Sequence, residues 1–167
     1  MIETCIDGFR IKYAEEKDSA LIVKYIRDLA AFENELDEVT VTEEILRQNV
    51  FVNKEADVIL GVYKDVTVGF ALFHKSFSTF LGKSGISLVD LYIEPDMRGK
   101  GFGKAMLSYL AELTVKNNCG RLEWPVHDWN EPAIERYLKW GAVPIDNIRV
   151  YRLHESNLED FSIVYVK

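Results

Sequence analysis

A mixed α/β domain, one largely antiparallel sheet with helices packed against it, is the fold this sequence predicts. Three observations predict it. Strand-length segments with alternating apolar residues follow one another from Val58 to Ile93, as in an antiparallel meander. A helix-period stretch with Met106, Leu107, Leu110 and Leu113 on one face then leads to a further strand at Arg121–Val126. A strand–helix–strand unit of this kind requires parallel pairing through a right-handed crossover.

Taken in order, Phe9, Ile11 and Tyr13 alternate through a first strand, and Glu15, Glu16 and Asp18 suit the first turn of a helix. Ile22, Tyr25, Ile26 and Leu29 give that helix its buried face through about Phe32. Thr42 with Glu43 and Glu44 starts a short second helix that is expected to carry Ile45 and Leu46 inward. Val58–Tyr63 and Val66–His74 form a hairpin around Lys64-Asp65, and SFSTFLGKSG reads as a polar loop before the strand that contains Asp90. Pro95 ends that strand because it lacks the N–H a ladder needs. A helix from about Glu131 to Trp140 stops at Gly141, and Arg149–Leu153 and Phe161–Val166 are expected to be two closing strands. No internal repeat or linker interrupts residues 1–167, which are expected to form one domain.

The 167 residues could bury about 70% of their unfolded surface, enough for a real core. With 48% apolar residues the chain is not disordered. Its net charge of −7, from 20 basic and 27 acidic residues, argues against sequence-independent nucleic-acid binding and fits a cationic small substrate. Cys5 and Cys119 make neither a disulfide framework nor a metal-spaced pair, so no metal is expected and a reducing compartment is. The segment MIETCIDGF is unlike a secretory leader, and no apolar run approaches a membrane span. The expected setting is the cytoplasm, with no membrane partner.

The chemistry centres on Arg98-Gly99-Lys100-Gly101-Phe102-Gly103-Lys104, between a strand and a long helix. Glycines let backbone approach a ligand closely, and the N–H groups of a helix N-terminus favour phosphate oxygens. The P-loop pattern fails, because Ala105 stands where Ser or Thr should bind magnesium and Arg98 where the first glycine belongs. The dinucleotide fingerprint fails too, since its third glycine would fall on Lys104. What remains is Arg-x-x-Gly-x-Gly, which by itself reads equally as a phosphate cradle or as a tight turn with surface charges. A second constellation lies in HDWNEPAIERYLKWGA, where Asn130, Ile134 and Tyr137 share one helical face. Taken alone, these side chains could simply pack on the sheet.

Together, the Arg-x-x-Gly-x-Gly loop, the long helix, the strand and Asn-Glu-Pro-Ala leading to Tyr137 and Gly-Ala resemble the GNAT superfamily of acetyl-CoA-dependent N-acetyltransferases. The likeness covers essentially the whole chain. Within the superfamily the segments DLAAFENELDEV, GFALF, FLGK and DWNEPAIERY most resemble the spermidine/spermine acetyltransferases and their thialysine-acetylating relatives. The resemblance implies a mostly antiparallel seven-stranded sheet with about four helices, its parallel fourth and fifth strands splayed around the cofactor. It implies that backbone groups of Leu91, Tyr92 and Ile93 hold the pantetheine arm of acetyl-CoA. Arg98, Gly99, Lys100, Gly101, Phe102, Gly103 and Lys104 would hold the pyrophosphate, and Asn130, with Glu131, Pro132 and Ala133, would contact the cofactor. Tyr137 would donate a proton to the departing thiolate, and Phe32, Glu33, Asp90, Glu123, Trp124 and Pro125 would line the amine site. A homodimer is also implied.

The chemistry agrees with these roles. A thiol with a reference pKa near 8.5 and a phenol near 10 allow proton transfer without metal. No nucleophile is indicated, so direct attack by a primary amine in a ternary complex is expected. One departure stands out: the polyamine acetyltransferases carry Glu immediately before the aspartate of the fourth strand, and here Val89 occupies that place. Strand alternation would put Asp90 on the face opposite Val89, leaving Glu33, Asp90 or bulk water as the base. Acetylation of a protein lysine or N-terminus, and a non-catalytic acyl-CoA-binding module, are the alternatives.

Overall fold

In the computed structural model, which describes residues 1–162, the chain separates into two compact units, the first Met1–Pro125 and the second beginning at Val126. The first unit holds a six-stranded sheet whose spatial order is the chain order: β1 (Ile2–Glu3), β2 (Phe9–Tyr13), β3 (Asp57–Tyr63), β4 (Val66–Ser78), β5 (Lys83–Ile93) and β6 (Leu122–Glu123). Neighbours are antiparallel except β5 and β6, which run parallel. Lys64 and Asp65 both take positive φ (48° and 66°), the two-residue turn whose twist suits a tight hairpin.

Helix α1 (Ser19–Glu33) follows a short turn at Glu16–Asp18, where the Glu15 N–H donates to Asp18 Oδ2 at 2.9 Å. It ends because Asn34 turns left-handed at φ 60°, and the Glu35 N–H then donates back to Ala30 O at 2.8 Å. Its buried face supplies Ile22 and Tyr25 to a core with Val58, Leu60, Phe70 and Tyr92. Tyr25 stacks on Phe70 at 5.9 Å and donates its hydroxyl to Thr67 O at 2.8 Å. The opposite face of the sheet receives α3 (Phe102–Lys116), which buries Phe102, Met106, Leu107 and Leu110. Leu60 faces α1, whereas a Cβ on the adjacent Gly61 would meet the Phe9 ring and Met106 Sδ of the α3 side. Phe9 and Phe102 stack at 4.2 Å.

SFSTFLGKSG is mostly ladder: Ser76, Phe77 and Ser78 pair with Gly85, Ser84 and Lys83, so the loop shrinks to residues 79–82. Serine and glycine hide a strand whose partner supplies the hydrogen bonds. The strand expected at Arg121–Val126 contracts to Leu122–Glu123, its course stopped near Pro125. In the short α2 (Glu43–Leu46), Leu46 is buried but Ile45 is half exposed, and inward packing continues through Val50 one wide turn later. Strand β1 was not expected, and among the described residues six strands replace seven.

The second unit contains α4 (Glu131–Lys139), with Pro132 in its first turn. Gly141 at φ 90° closes it: the Gly141 N–H donates to Leu138 O and the Ala142 N–H to Tyr137 O. Arg149–Leu153 is not a strand; its apolar residues Val150 and Tyr151 are both exposed. Helix α5 (Glu155–Ser162) takes in Phe161 and Ser162, the start of the other expected strand, whose remainder lies outside the described residues.

Gly69 fixes the closest approach of β4 to β5, since a Cβ there would lie 2.3 Å from Tyr92 O. Gly69→Ala is therefore expected to destabilise the fold by about 3 kcal/mol in chemical denaturation; an unchanged midpoint would show that the two strands can separate freely.

Candidate active site

Strand β5 carries the site. β4 pairs with it along its length, but β6 pairs only at Ile86↔Leu122 and Ser87↔Glu123. From Leu88 to Ile93, β5 has no strand partner on that edge among the described residues, which is the expected splay. Within this stretch Leu72 faces Asp90 while Phe73 faces Leu88, so Val89 is an extra residue without a partner on β4. This bulge interrupts the alternation from which Asp90 was placed opposite Val89. The partners across the ladder decide instead: Asp90 and Tyr92 share a face with Leu72 and Phe70, the face that packs against α1.

After Ile93 a single turn at Pro95–Met97 reverses the chain into the glycine loop. Gly99 and Gly101 take φ of 78° and 87°, where other residues are strained. Gly101 is the N-cap of α3 and brings no side chain to cap it. The first bond of the helix is Ala105 N–H to Gly101 O at 3.0 Å, so the amides ahead of Ala105 have no intrahelical acceptor. Gly103 is needed neither for φ nor for packing, because a Cβ there would meet only Ile93 Cγ1 at 3.8 Å. A glycine that the protein itself does not require suits close approach by a ligand, and the donor set fits a diphosphate. Lys100 and Arg98 are engaged inside the loop. Lys100 Nζ donates to Asp96 O at 2.6 Å, and Arg98 Nε donates to Ile93 O at 2.9 Å, which occupies one of the backbone groups assigned to pantetheine. Lys104 lies exposed in the first turn of α3.

On the α1 side, Glu33 in the last helical turn lies close enough to Asp90 for its charge to act there. Burial first, and that neighbouring carboxylate second, push the Asp90 acid up to about 6. Phe32, beside Glu33, is half exposed. Tyr92 also lines a surface cavity of about 470 Å³ with Lys24, Asp28 and Glu94, where the Lys24 ammonium sits 2.6 Å from Asp28 and 3.8 Å from Glu94. Of the other acceptor-site residues, Glu123 turns to Arg121 (Nε to Oε2, 2.9 Å), and Trp124 and Pro125 follow where β6 has parted from β5.

In the second unit Asn130 precedes α4, and its side chain makes no capping bond, while its carbonyl accepts from Ala133 and Ile134. Glu131, Pro132 and Ala133 form the first turn. Tyr137 lies two turns on, its ring edge-on to Trp140 at 5.8 Å. Burial raises its phenol, with Arg136 opposing, so the hydroxyl holds its proton.

A sheet parted between two parallel strands, followed by a glycine-lined helix N-terminus, defines an acyltransferase-like fold and site. The chain belongs to the acetyltransferase (GNAT) family, whose model matches residues 23–142, and it is an N-acetyltransferase. It is 33% identical over 141 residues to the thialysine N-epsilon-acetyltransferase of Bos taurus, covering 79% of this chain and 82% of that one. It is 41% identical over 88 residues to the L-ornithine N5-acetyltransferase of Arabidopsis thaliana, covering 53% and 39%. The fold is similar to that of an integron cassette protein from the V. cholerae mobile metagenome (TM-score 0.78, 24% identity, 93% and 98% covered). An aminoglycoside acetyltransferase from an uncultured soil metagenomic sample, in complex with sisomicin, is also similar (TM-score 0.75, 13% identity, 89% and 98% covered).

Two features of the site escaped the sequence reading. The Val89 bulge leaves no mark in the sequence, since an extra residue shows only against a partner strand. The stacking of Arg98 on aromatic rings was missed because the arginine was read only as a phosphate cation. Asp90 gives the clearest quantitative test. An acid raised from 3.8 to about 6 holds its proton more tightly folded than unfolded. Its stabilising contribution is complete below about pH 4 and is lost as pH rises through about 6. Asp90→Asn should therefore stabilise the protein by about 1–3 kcal/mol at pH 7.5 and by little at pH 4, measured by thermal unfolding at both values.

Proposed function

We propose that this chain transfers the acetyl group of acetyl-CoA to a primary amine on a small cationic molecule by direct attack in a ternary complex. The observation that carries the reading is the pairing, within one unit, of an uncapped glycine-lined helix N-terminus with a strand edge that β6 leaves beyond Ser87. Amides ahead of Ala105 would hold the diphosphate, and backbone groups of Leu91 and Tyr92 the pantetheine arm. Coenzyme A supplies an activated thioester, and backbone N–H donors at such an edge stabilise negative charge that develops on the acyl oxygen. Glu33 and Asp90 would draw the ammonium to the site. Asp90, with its acid near 6, takes up a proton closer to neutral pH than an ordinary carboxylate does. Tyr137 would return a proton to the leaving thiolate. Similarity to acetyltransferases of thialysine and ornithine supports a diamine-like acceptor, and the same reading has the enzyme acting as a cytoplasmic homodimer.

Release of free thiol from acetyl-CoA, followed with thialysine, ornithine, spermidine and a lysine peptide, tests the assignment. Turnover on the small amines and not on the peptide is expected; the reverse order would move the substrate class to proteins. With the best acceptor, Tyr137→Phe should lower kcat about 100-fold and leave the Kd for coenzyme A unchanged. An unchanged rate removes the phenol from the mechanism. Gly103→Ala separates fold from function: it should stabilise α3 by about 0.5–1 kcal/mol while weakening coenzyme A binding at least about tenfold by calorimetry. Tighter folding with normal affinity would place the diphosphate elsewhere.

A further inference from the structure

The Arg98 guanidinium is built into the protein. Its Cζ lies 4.8 Å from the Phe32 ring centroid and 5.5 Å from that of Tyr92, and its Nε–H donates to Ile93 O at 2.9 Å. A planar cation held against aromatic faces gains from the ring quadrupoles and keeps its terminal N–H groups for another acceptor. Its partners come from different parts of the site. Phe32 immediately precedes Glu33 in the last turn of α1, Tyr92 follows Asp90 on the same face of β5, and Ile93 ends that strand. The backbone of Arg98 leads directly into Gly99, at φ 78° the first glycine of the loop. One residue thus touches the acceptor side through its rings and the donor side through its own chain.

We propose that Arg98 is a positioning residue that couples the two sides: when coenzyme A settles the loop at residues 99–104, Arg98 is settled with it and, through Phe32, holds the end of α1 so that Glu33 stays beside Asp90. The coupling rests on the acetyl-CoA reading above. A loop with glycines at 99 and 101 has much freedom to lose on loading, and that loss is what Arg98 passes on. By linkage the effect is reciprocal: an amine held by Glu33 and Asp90 tightens coenzyme A by the same factor.

Backbone hydrogen exchange with coenzyme A alone tests this without turnover. The amides of Asn34 and Glu35, which donate to Ala31 and Ala30 carbonyls, report on the end of α1. In the unaltered protein coenzyme A should slow exchange both at residues 99–104 and at residues 34–35. Arg98→Lys keeps the charge but loses the planar face and the Nε–H, so it should retain slowing in the loop and lose it at 34–35. Phe32→Leu should do the same with Arg98 intact. With thialysine as acceptor, either variant should raise its KM about tenfold, loosen coenzyme A by a similar factor when thialysine is saturating and by less than about threefold when it is absent, and the double variant should add little more. Slowing confined to the loop in the unaltered protein, or a rise in the KM of acetyl-CoA alone, overturns the coupling and leaves the acetyltransferase reading standing. Failure of coenzyme A to slow exchange in either segment overturns both.

Discussion

Strand β5 is held on one edge and released on the other, and the site depends on that asymmetry. β4 fixes its register from Lys83 to Ile93, and β6 leaves it after Ser87. Backbone amides inside a fold are seldom left without partners, so an edge released by its neighbour calls for water or a ligand in its place. The close approach at Gly69 keeps β4 tight where β6 is absent. The strand then ends at Ile93, and the reversal at Pro95–Met97 delivers the glycine loop to the same end of the sheet. The cradle and the released edge are successive consequences of one strand's pairing.

Much of this was legible in the sequence because it is local. The α3 stripe, the Lys64-Asp65 hairpin, the Pro95 stop, the glycines of the loop and the Gly141 cap each follow from residues within a few positions of one another. What failed was set by distant partners. The β4–β5 ladder continues through serine and glycine because two strands support each other. β6 keeps only two pairs with β5, and Arg149–Leu153 finds no ladder among the described residues. The face of Asp90 is set by its partners on β4 and not by counting from Val89. A strict period of two holds along an uninterrupted strand, and one extra residue at Val89 leaves the partners on β4 to set the face.

Arg98 illustrates a different gap. Its place in the motif identified it as a cation near a phosphate site, but motif position says nothing of what the side chain touches. The rings it meets come from residues 66 and 6 positions away, brought together by α1 packing on the sheet. Tyr92 continues inward to Tyr25 at 5.6 Å and Tyr25 to Phe70 at 5.9 Å, so the stack that receives the guanidinium is anchored in the core. A rigid aromatic base is what allows an exposed arginine to hold a defined position.

The titrating groups divide along chemical lines. Burial acts on both Asp90 and Tyr137 in the same direction, raising each acid, yet the consequences are opposite. A phenol raised above 10 stays protonated and can only donate; a carboxylate raised to about 6 becomes a usable acceptor near neutral pH. In the proposed mechanism, environment would sort these two residues into acid and base without any change in chemistry. The cost falls on Asp90, whose ionised form is opposed by burial and by Glu33 together. A carboxylate pair that weakens the fold at neutral pH would be stabilised by an ammonium between its charges, so in the proposed function the unfavourable term that the free protein carries would become binding energy for a cationic amine.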